Sequence, residues 1–97
     1  MKKSIVSNRE YCYICEMYKG LTVRGTEIHH MCHGQGRRKL ADADGLTVRL
    51  CHTCHTLLHD HGIHDRDLQQ IAERAYLEHY NKTVEDFISR YGKNYID

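Results

Sequence analysis

Four of the five cysteines fall into two pairs that have the spacing of a metal site. Each pair is a Cys-x-x-Cys motif, formed by Cys12 with Cys15 and by Cys51 with Cys54. Together they can supply four thiolates to one tetrahedral ion, and zinc suits an all-sulfur set. We therefore predict a closed structural zinc site, and not a thioredoxin-like redox motif, because no βαβ pattern surrounds either pair. Cys32 is left over and is expected to be a buried small hydrophobic residue, with a catalytic or redox role as the alternative.

The histidines are concentrated in one part of the chain, where a second site is expected. Eight of the nine lie between His29 and His64. His29 and His30 fall on a predicted strand, so their side chains point to opposite faces and can divide two tasks, one binding a metal and the other facing a substrate water. His55 and His59 are spaced i, i+4 on a predicted helix and share a face. His29, His55 and His59 would give three protein ligands with positions left open, which is the arrangement of a catalytic metal site.

A short basic segment, Arg37, Arg38 and Lys39, follows Gly34 and Gly36. Glycines allow a close backbone approach to a phosphate, and the guanidinium fork of arginine matches phosphate oxygens. We predict that this segment is a loop that contacts a nucleic-acid backbone, most strongly through Arg38. The alternative is an ordinary solvated turn.

Charge is unevenly distributed, although the formal net charge is only +1. Residues 1–59 carry nine Lys/Arg against five Asp/Glu, whereas residues 60–97 carry five against eight. The half that holds the Cys/His cluster is therefore the half that would attract a polyanion, although an excess of four charges supports this only weakly. No apolar run approaches the roughly 18 residues of a membrane span.

The elements that must position these residues are short. Alternation predicts strands at 26–31 and 46–50, and a helix is expected at 51–60 with one helical turn at 40–44. A tight turn is expected at 12–15. Apolar residues then recur at helical spacing after Asp65, a candidate N-cap. A capping box from Thr83 to Asp86 starts a last helix that is expected to end at Gly92.

The arrangement of these motifs resembles the HNH (ββα-metal) nucleases, and most closely a group of small phage and prophage members. The resemblance rests on the His29-His30 pair, a Gly-x-Gly-x-Arg-Lys-like segment, and the run from Gly45 to His55 that contains Leu-Cys-x-x-Cys-His. The tail Tyr-Gly-Lys-Asn-Tyr at 91–95 also matches the group. The resemblance covers about residues 12–95, and the Cys/His core is its specific part.

The resemblance implies a role for each site residue. His29 would bind the metal, His30 would be the general base that activates water, and His55 would complete the metal site, which His59 is placed to join. The middle residue of the family motif is an Asn near the second strand, and no Asn occurs between His30 and Tyr80. Asp42 or Asp44 could take that place, or the role is absent here.

These observations predict an α+β protein with a small zinc-stapled ββα-metal core and two C-terminal helices. We expect a flexible tail at 1–10, the core at 11–64 and a helical extension at 65–97. The expected activity is metal-dependent hydrolysis of DNA phosphodiester bonds, with structural Zn²⁺ and a catalytic divalent metal that could be Mg²⁺, Mn²⁺, Ni²⁺ or Zn²⁺. DNA is the expected partner, and no membrane association is expected. A homodimer is the arrangement that would allow paired cuts in the two DNA strands.

Two further expectations concern context and the competing interpretation. Paired cysteines without a signal-peptide pattern indicate a reducing, cytoplasmic location, and the resemblance implies a phage or prophage product in a bacterial host. The alternative function is a non-catalytic zinc module that binds nucleic acid or protein. That alternative explains the four cysteines and the basic segment equally well, but it does not explain His29, His30, His55 and His59 together.

Overall fold

The computed structural model describes residues 2–96, and its centre is a two-stranded antiparallel sheet with helices packed around it. In chain order the elements are α1 (Tyr13–Lys19), β1 (Thr26–His30), α2 (Arg37–Asp44), β2 (Thr47–Cys51), α3 (His52–His61), α4 (Asp65–Tyr80) and α5 (Val84–Tyr91). The predicted α+β class and the two C-terminal helices are confirmed. Met1 and Asp97, the end residues of the predicted tail and of the helical extension, lie outside the described residues. Within residues 2–96, every helix is too short or too polar to cross a bilayer.

The pairing of the two strands fixes which face each histidine occupies. His29 lies opposite Val48 and His30 opposite Thr47 in the antiparallel register. Because strand side chains alternate, His29 and Glu27 share the face that contacts α3, and His30 lies on the other face. His29 is 1% exposed. The two side chains of the His-His pair therefore lie on opposite faces of the strand, as the sequence predicts.

Both Cys-x-x-Cys motifs stand at helix N-termini. Cys12 is the N-cap of α1, where its sulfur accepts a hydrogen bond from the Cys15 backbone N–H. Cys51 ends β2 and is the N-cap of α3. The turn predicted at 12–15 is thus the start of a helix. The unpaired N–H groups at a helix N-terminus favour negative charge, so both positions suit thiolates.

The basic segment is helical, which corrects the prediction of a loop. α2 begins at Arg37 instead of Leu40, and the Leu40 N–H donates to the carbonyl of Gly36 at 3.3 Å. Gly36 precedes the helix with a φ of 75°, a conformation that glycine adopts without strain. The two glycines suggested an extended loop, but they form the entry to a helix whose first turn carries all three basic residues.

The C-terminal helices pack through aromatic side chains. Phe87 is fully buried and lies against Tyr76 of α4 at a ring-centroid distance of 5.5 Å. The capping box predicted at Thr83 and Asp86 is confirmed, as is the glycine end of α5 at Gly92. The N-cap of α4 is His64, in a left-handed conformation, and not Asp65 as predicted. Asp65 is the first helical residue, and its carboxylate contacts a histidine side chain that is described below.

Cys32 and Glu73 are two buried titratable residues that lie outside the two clusters. Cys32 is 0% exposed, and burial raises the pKa of its thiol to about 12, so the thiol stays neutral as a small hydrophobic residue would. Glu73 is also 0% exposed, and its Oε1 accepts a hydrogen bond from the backbone N–H of Tyr95 at 2.7 Å. This bond fastens the 92–96 tail to α4.

The N-terminal segment lies against the sheet, in contrast to the loose tail expected from the sequence. The Ile5 N–H donates to the carbonyl of Gly45 at 2.9 Å, and the Ser4 hydroxyl donates to the carbonyl of Thr47. Ile5 and Val6 pack against the buried core. The sequence shows no periodic pattern here because individual hydrogen bonds, and not a regular helix or strand, hold the segment against the sheet.

Candidate metal centres and active site

The four paired cysteines meet in one cluster. Their sulfur atoms all lie within 4.8 Å of one another, with Cys15 Sγ at 3.6 Å from Cys54 Sγ and at 4.0 Å from Cys51 Sγ. A tetrahedral zinc with Zn–S distances of about 2.3 Å separates its sulfurs by roughly 3.8 Å. The cluster therefore has the dimensions of a four-thiolate zinc site. It ties the start of α1 to the start of α3 across 36 residues of chain.

Three histidines form a second cluster of possible metal ligands. One ring nitrogen from each of His29, His55 and His59 lies within 4.8 Å of the others. Their ring centroids are 4.9 to 5.3 Å apart. β1 supplies the first residue, and one face of α3 supplies the other two, as their i, i+4 spacing predicts.

His29 carries the clearest indication that this cluster suits a cation. Its Nε2 is buried and has no hydrogen-bond partner. Burial, with a smaller contribution from the neighbouring His55 and His59, lowers the pKa of His29 to about 3, so the imidazole stays neutral. When the proton of the neutral ring is on Nδ1, this buried Nε2 has a free lone pair for a metal. Burial also lowers the pKa of His59.

Glu27 is a site residue that the sequence prediction missed. One of its carboxylate oxygens lies 2.8 Å from His55 Nδ1 and the other 3.2 Å from His52 Nδ1. A carboxylate on Nδ1 fixes the tautomer of His55 and leaves Nε2 free to bind a metal. The signal was present, because Glu27 and His29 are two residues apart on a strand and so share a face.

His33 is the second missed residue. It lines the histidine pocket together with His29, His30, Arg38, His55 and His59. Its ring lies 5.2 Å from that of His59. Its Nε2 is 3.0 Å from Asp65 Oδ1, a contact that raises the pKa of His33 and joins the pocket to the first turn of α4. His33 follows β1 in an irregular turn, where no periodicity could have indicated its direction.

His30 lies at the mouth of the same pocket and is paired with Asp42. Its Nε2 is 3.1 Å from Asp42 Oδ1. Asp44, the other acid considered for the missing Asn, points away: its carboxylate accepts two hydrogen bonds from Arg90 and one from the Tyr91 hydroxyl. Of the two candidates, Asp42 is therefore the one in contact with the His-His pair.

The three basic residues of α2 have different surroundings. Arg38 is exposed and lines the histidine pocket, and a neighbouring hollow is lined by His30, Arg38, Lys39 and Asp42. Arg37 is half-buried, and its Nε donates to the carbonyl of Tyr91 at 2.9 Å. Arg38 and Lys39 are thus placed beside the histidines, whereas Arg37 joins α2 to the end of α5.

Comparison of the chain with protein-family models, with curated proteins and with solved structures gave no match. The interpretation of the two clusters therefore rests on their own residues and geometry.

Proposed function

We propose that this protein is an HNH-type, metal-dependent endonuclease that hydrolyses DNA phosphodiester bonds, with structural zinc on the four cysteines and a second divalent metal on the histidines. The observation that carries the proposal is the buried, unpartnered Nε2 of His29 beside His55 and His59, in the same pocket as His30 and Arg38. A structural zinc module alone has no need of that pocket.

The residues of the histidine cluster fit a divalent metal. Burial lowers the pKa of both His29 and His59, which favours the neutral imidazole that binds a metal, and Glu27 contacts His55 Nδ1. Imidazole ligands suit Zn²⁺ or Ni²⁺ better than Mg²⁺, which prefers oxygen ligands. When bound, such an ion supplies positive charge that stabilises the phosphate and the leaving 3′ oxygen as the bond breaks. The expected product carries a 5′ phosphate.

His30 is the proposed general base. Asp42 as a carboxylate can only accept a hydrogen bond, so the contact at Nε2 requires the proton on that nitrogen in the neutral ring. Nδ1 of His30 is then the nitrogen that accepts a proton from the attacking water. His30 keeps a side-chain exposure of 14%, which leaves it accessible from the pocket while limiting its rotation.

Arg38 and Lys39 supply the substrate contacts in this proposal. Both are exposed on the first turn of α2 and line the hollow beside His30. The guanidinium of Arg38 can donate two parallel hydrogen bonds to a phosphate, and Lys39 adds a point charge. The arrangement of two antiparallel strands followed directly by α3 also agrees with the ββα core that the family resemblance implies.

The experiment that tests the proposal compares three proteins on plasmid DNA across Mg²⁺, Mn²⁺, Ni²⁺ and Zn²⁺. The wild-type protein should cleave with at least one ion, and His30→Ala should cleave about 10²–10⁴-fold more slowly while binding DNA and metals normally. His61→Ala is the matched control, because His61 is exposed on α3 and does not line the pocket.

Two results would refute the proposal. One is a well-folded wild-type protein that leaves duplex, single-stranded and branched DNA intact with every ion, which would favour the non-catalytic zinc module. The other is a His30→Ala protein that cleaves as fast as His61→Ala. If the protein does cleave DNA, sedimentation of the protein alone and with DNA decides whether it acts as a homodimer when it makes paired cuts.

A further inference from the structure

A groove of about 270 Å³ lies between the N-terminal segment and the β1–β2 sheet. Ile28 and Thr47 form part of its floor. We call it the N-terminal groove, and its polar lining includes Lys2, Lys3, Ser4, Ser7, Asn8 and Arg49. None of these residues takes part in the two metal clusters.

The wall of the groove is held in place by backbone contacts. Ser4 and Ile5 are hydrogen-bonded to the carbonyls of Thr47 and Gly45. The approach is so close that a Cβ at Gly45 would lie 2.6 Å from the carbonyl oxygen of Lys3. A side chain at Gly45 would therefore displace the segment, and Lys3 is fixed relative to the sheet.

The lining of the groove favours an extended anion. Lys2, Lys3 and Arg49 contribute three cations against one acid, Glu10. An adjoining hollow, which shares Arg49 and Glu10 with the groove, adds one further cation, Arg24. Lys3 lies on the N-terminal segment and Arg49 on β2, so the cations stand on two separate segments of the lining, which suits a chain of phosphates better than a single small anion.

The groove adjoins the histidine pocket. Ile28 lines both, and Arg38 lines the histidine pocket next to His30. Lys3 and Arg49 line the groove, whereas Arg38 and Lys39 line the hollow that His30 also lines. A nucleic-acid backbone that enters the pocket can continue into the groove.

We propose that the N-terminal groove binds the DNA backbone next to the cleaved phosphate, an inference that rests on the proposed nuclease function. Lys3 and Arg49 contact phosphates, and Ser7 and Asn8 are placed to donate hydrogen bonds to the same backbone. The expected ligand is thus a DNA segment several nucleotides long, of which the groove holds the part outside the histidine pocket.

The test uses a Lys3→Gln/Arg49→Gln variant in the His30→Ala background, so that binding is measured without cleavage. Lys2 is left unchanged because its ammonium lies over the Tyr80 ring. The control is Lys19→Gln/Lys82→Gln, which removes two exposed charges elsewhere. Affinity for a fluorescent 20-base-pair duplex is measured over a range of salt. The groove variant should bind about tenfold more weakly, and its log–log salt slope should be shallower by about 1–2.

Substrate length separates this inference from the proposed function. With His30 intact, the groove variant should hydrolyse bis(p-nitrophenyl) phosphate at the wild-type rate but cleave the duplex more slowly at low DNA concentration. An affinity and salt slope equal to those of the control variant would overturn the groove proposal, whatever the catalytic result. A wild-type protein inactive on both substrates would overturn the nuclease function, while the change in duplex binding would still report on the groove.

Discussion

His30 Nε2 lies 3.1 Å from Asp42 Oδ1, so a residue at the end of β1 is paired with a carboxylate on α2. The two residues are twelve positions apart, and the helix between the strands brings them together. In the neutral ring, a carboxylate at Nε2 favours the tautomer whose Nδ1 is unprotonated. Asp42 is therefore a positioning residue in the proposed mechanism.

Replacing Asp42 by Asn should lower the turnover number for DNA cleavage by roughly 10²-fold, the scale expected when a reacting group is misplaced by about 1 Å. The amide can donate as well as accept, so it no longer selects one tautomer of His30. KM and the melting temperature should change little, because the Asp42 side chain is 38% exposed. Steady-state kinetics give the two constants separately. A rise in KM at unchanged kcat would instead assign Asp42 to substrate binding.

Loss of one zinc ligand should unfold the core. Zinc binding in small metallo-domains has an apparent free energy of about 10–16 kcal/mol, which is comparable to the whole stability of a typical domain. Cys51→Ser should therefore lose the zinc and show no cooperative thermal transition, or one at a much lower temperature. Zinc content by metal analysis and circular dichroism melting measure the two effects.

The matched control for the zinc experiment is Cys32→Ala. Cys32 is buried like the ligands but lies outside the four-cysteine group. This variant should keep one zinc per chain at that cluster and lose only a modest amount of stability. Equal zinc content in the Cys51→Ser and wild-type proteins would exclude Cys51 as a ligand.

The parts of the site that could be predicted from sequence are those governed by short, regular spacing. The Cys-x-x-Cys pairs and the i, i+4 histidines of α3 meet as expected, because their separations match a helix turn. The alternation of β1 correctly divided His29 from His30. Local backbone geometry decides which side chains share a face within one strand or helix, whereas the meeting of the two cysteine pairs was expected from the four ligands that a tetrahedral zinc needs.

The parts that could not be predicted depend on contacts between distant segments. His33 and Asp65 meet across 32 residues, and Arg37 reaches Tyr91 across 54. Neither contact has a periodic signal, since each depends on how α4 and α5 return to the core. The helical start of α2 was missed for a related reason, because glycine favours both a loop and the entry to a helix.

The basic residues of α2 should separate into two functions. Arg38→Gln/Lys39→Gln should weaken duplex binding and make its salt slope shallower by up to about 2, since each lost phosphate contact removes about 0.9 from the slope. Arg37→Gln should leave that slope unchanged but lower the free energy of unfolding by about 1 kcal/mol, the usual contribution of one hydrogen bond. Binding titrations at several salt concentrations and urea unfolding distinguish the two. Identical slopes for both variants would contradict this assignment.

Glu73 should make the protein less stable as pH rises towards neutrality. Its carboxyl is fully buried, and burial raises its pKa above the ordinary value of 4.5. The backbone N–H groups of Tyr95 and Ile96, and to a smaller extent Arg74, partly oppose this shift. The folded state thus holds this proton more tightly than the unfolded state. The stabilisation is complete below about pH 4.5 and is lost as pH rises through the folded pKa.

Glu73→Gln should therefore raise the melting temperature at pH 7 by a few degrees and flatten the fall in stability as pH rises above about 4.5. The amide oxygen can still accept the hydrogen bond from the Tyr95 N–H, but no charge is left buried. Glu78→Gln, an exposed change on the same helix, is the control and should alter neither quantity. Melting curves at several pH values provide the measurement. A Glu73→Gln protein that is less stable than the wild type at every pH, with a pH profile parallel to that of the wild type, would contradict this prediction. The ionised carboxylate would then be fully hydrogen-bonded in the folded state, and its burial would carry no cost in stability at neutral pH.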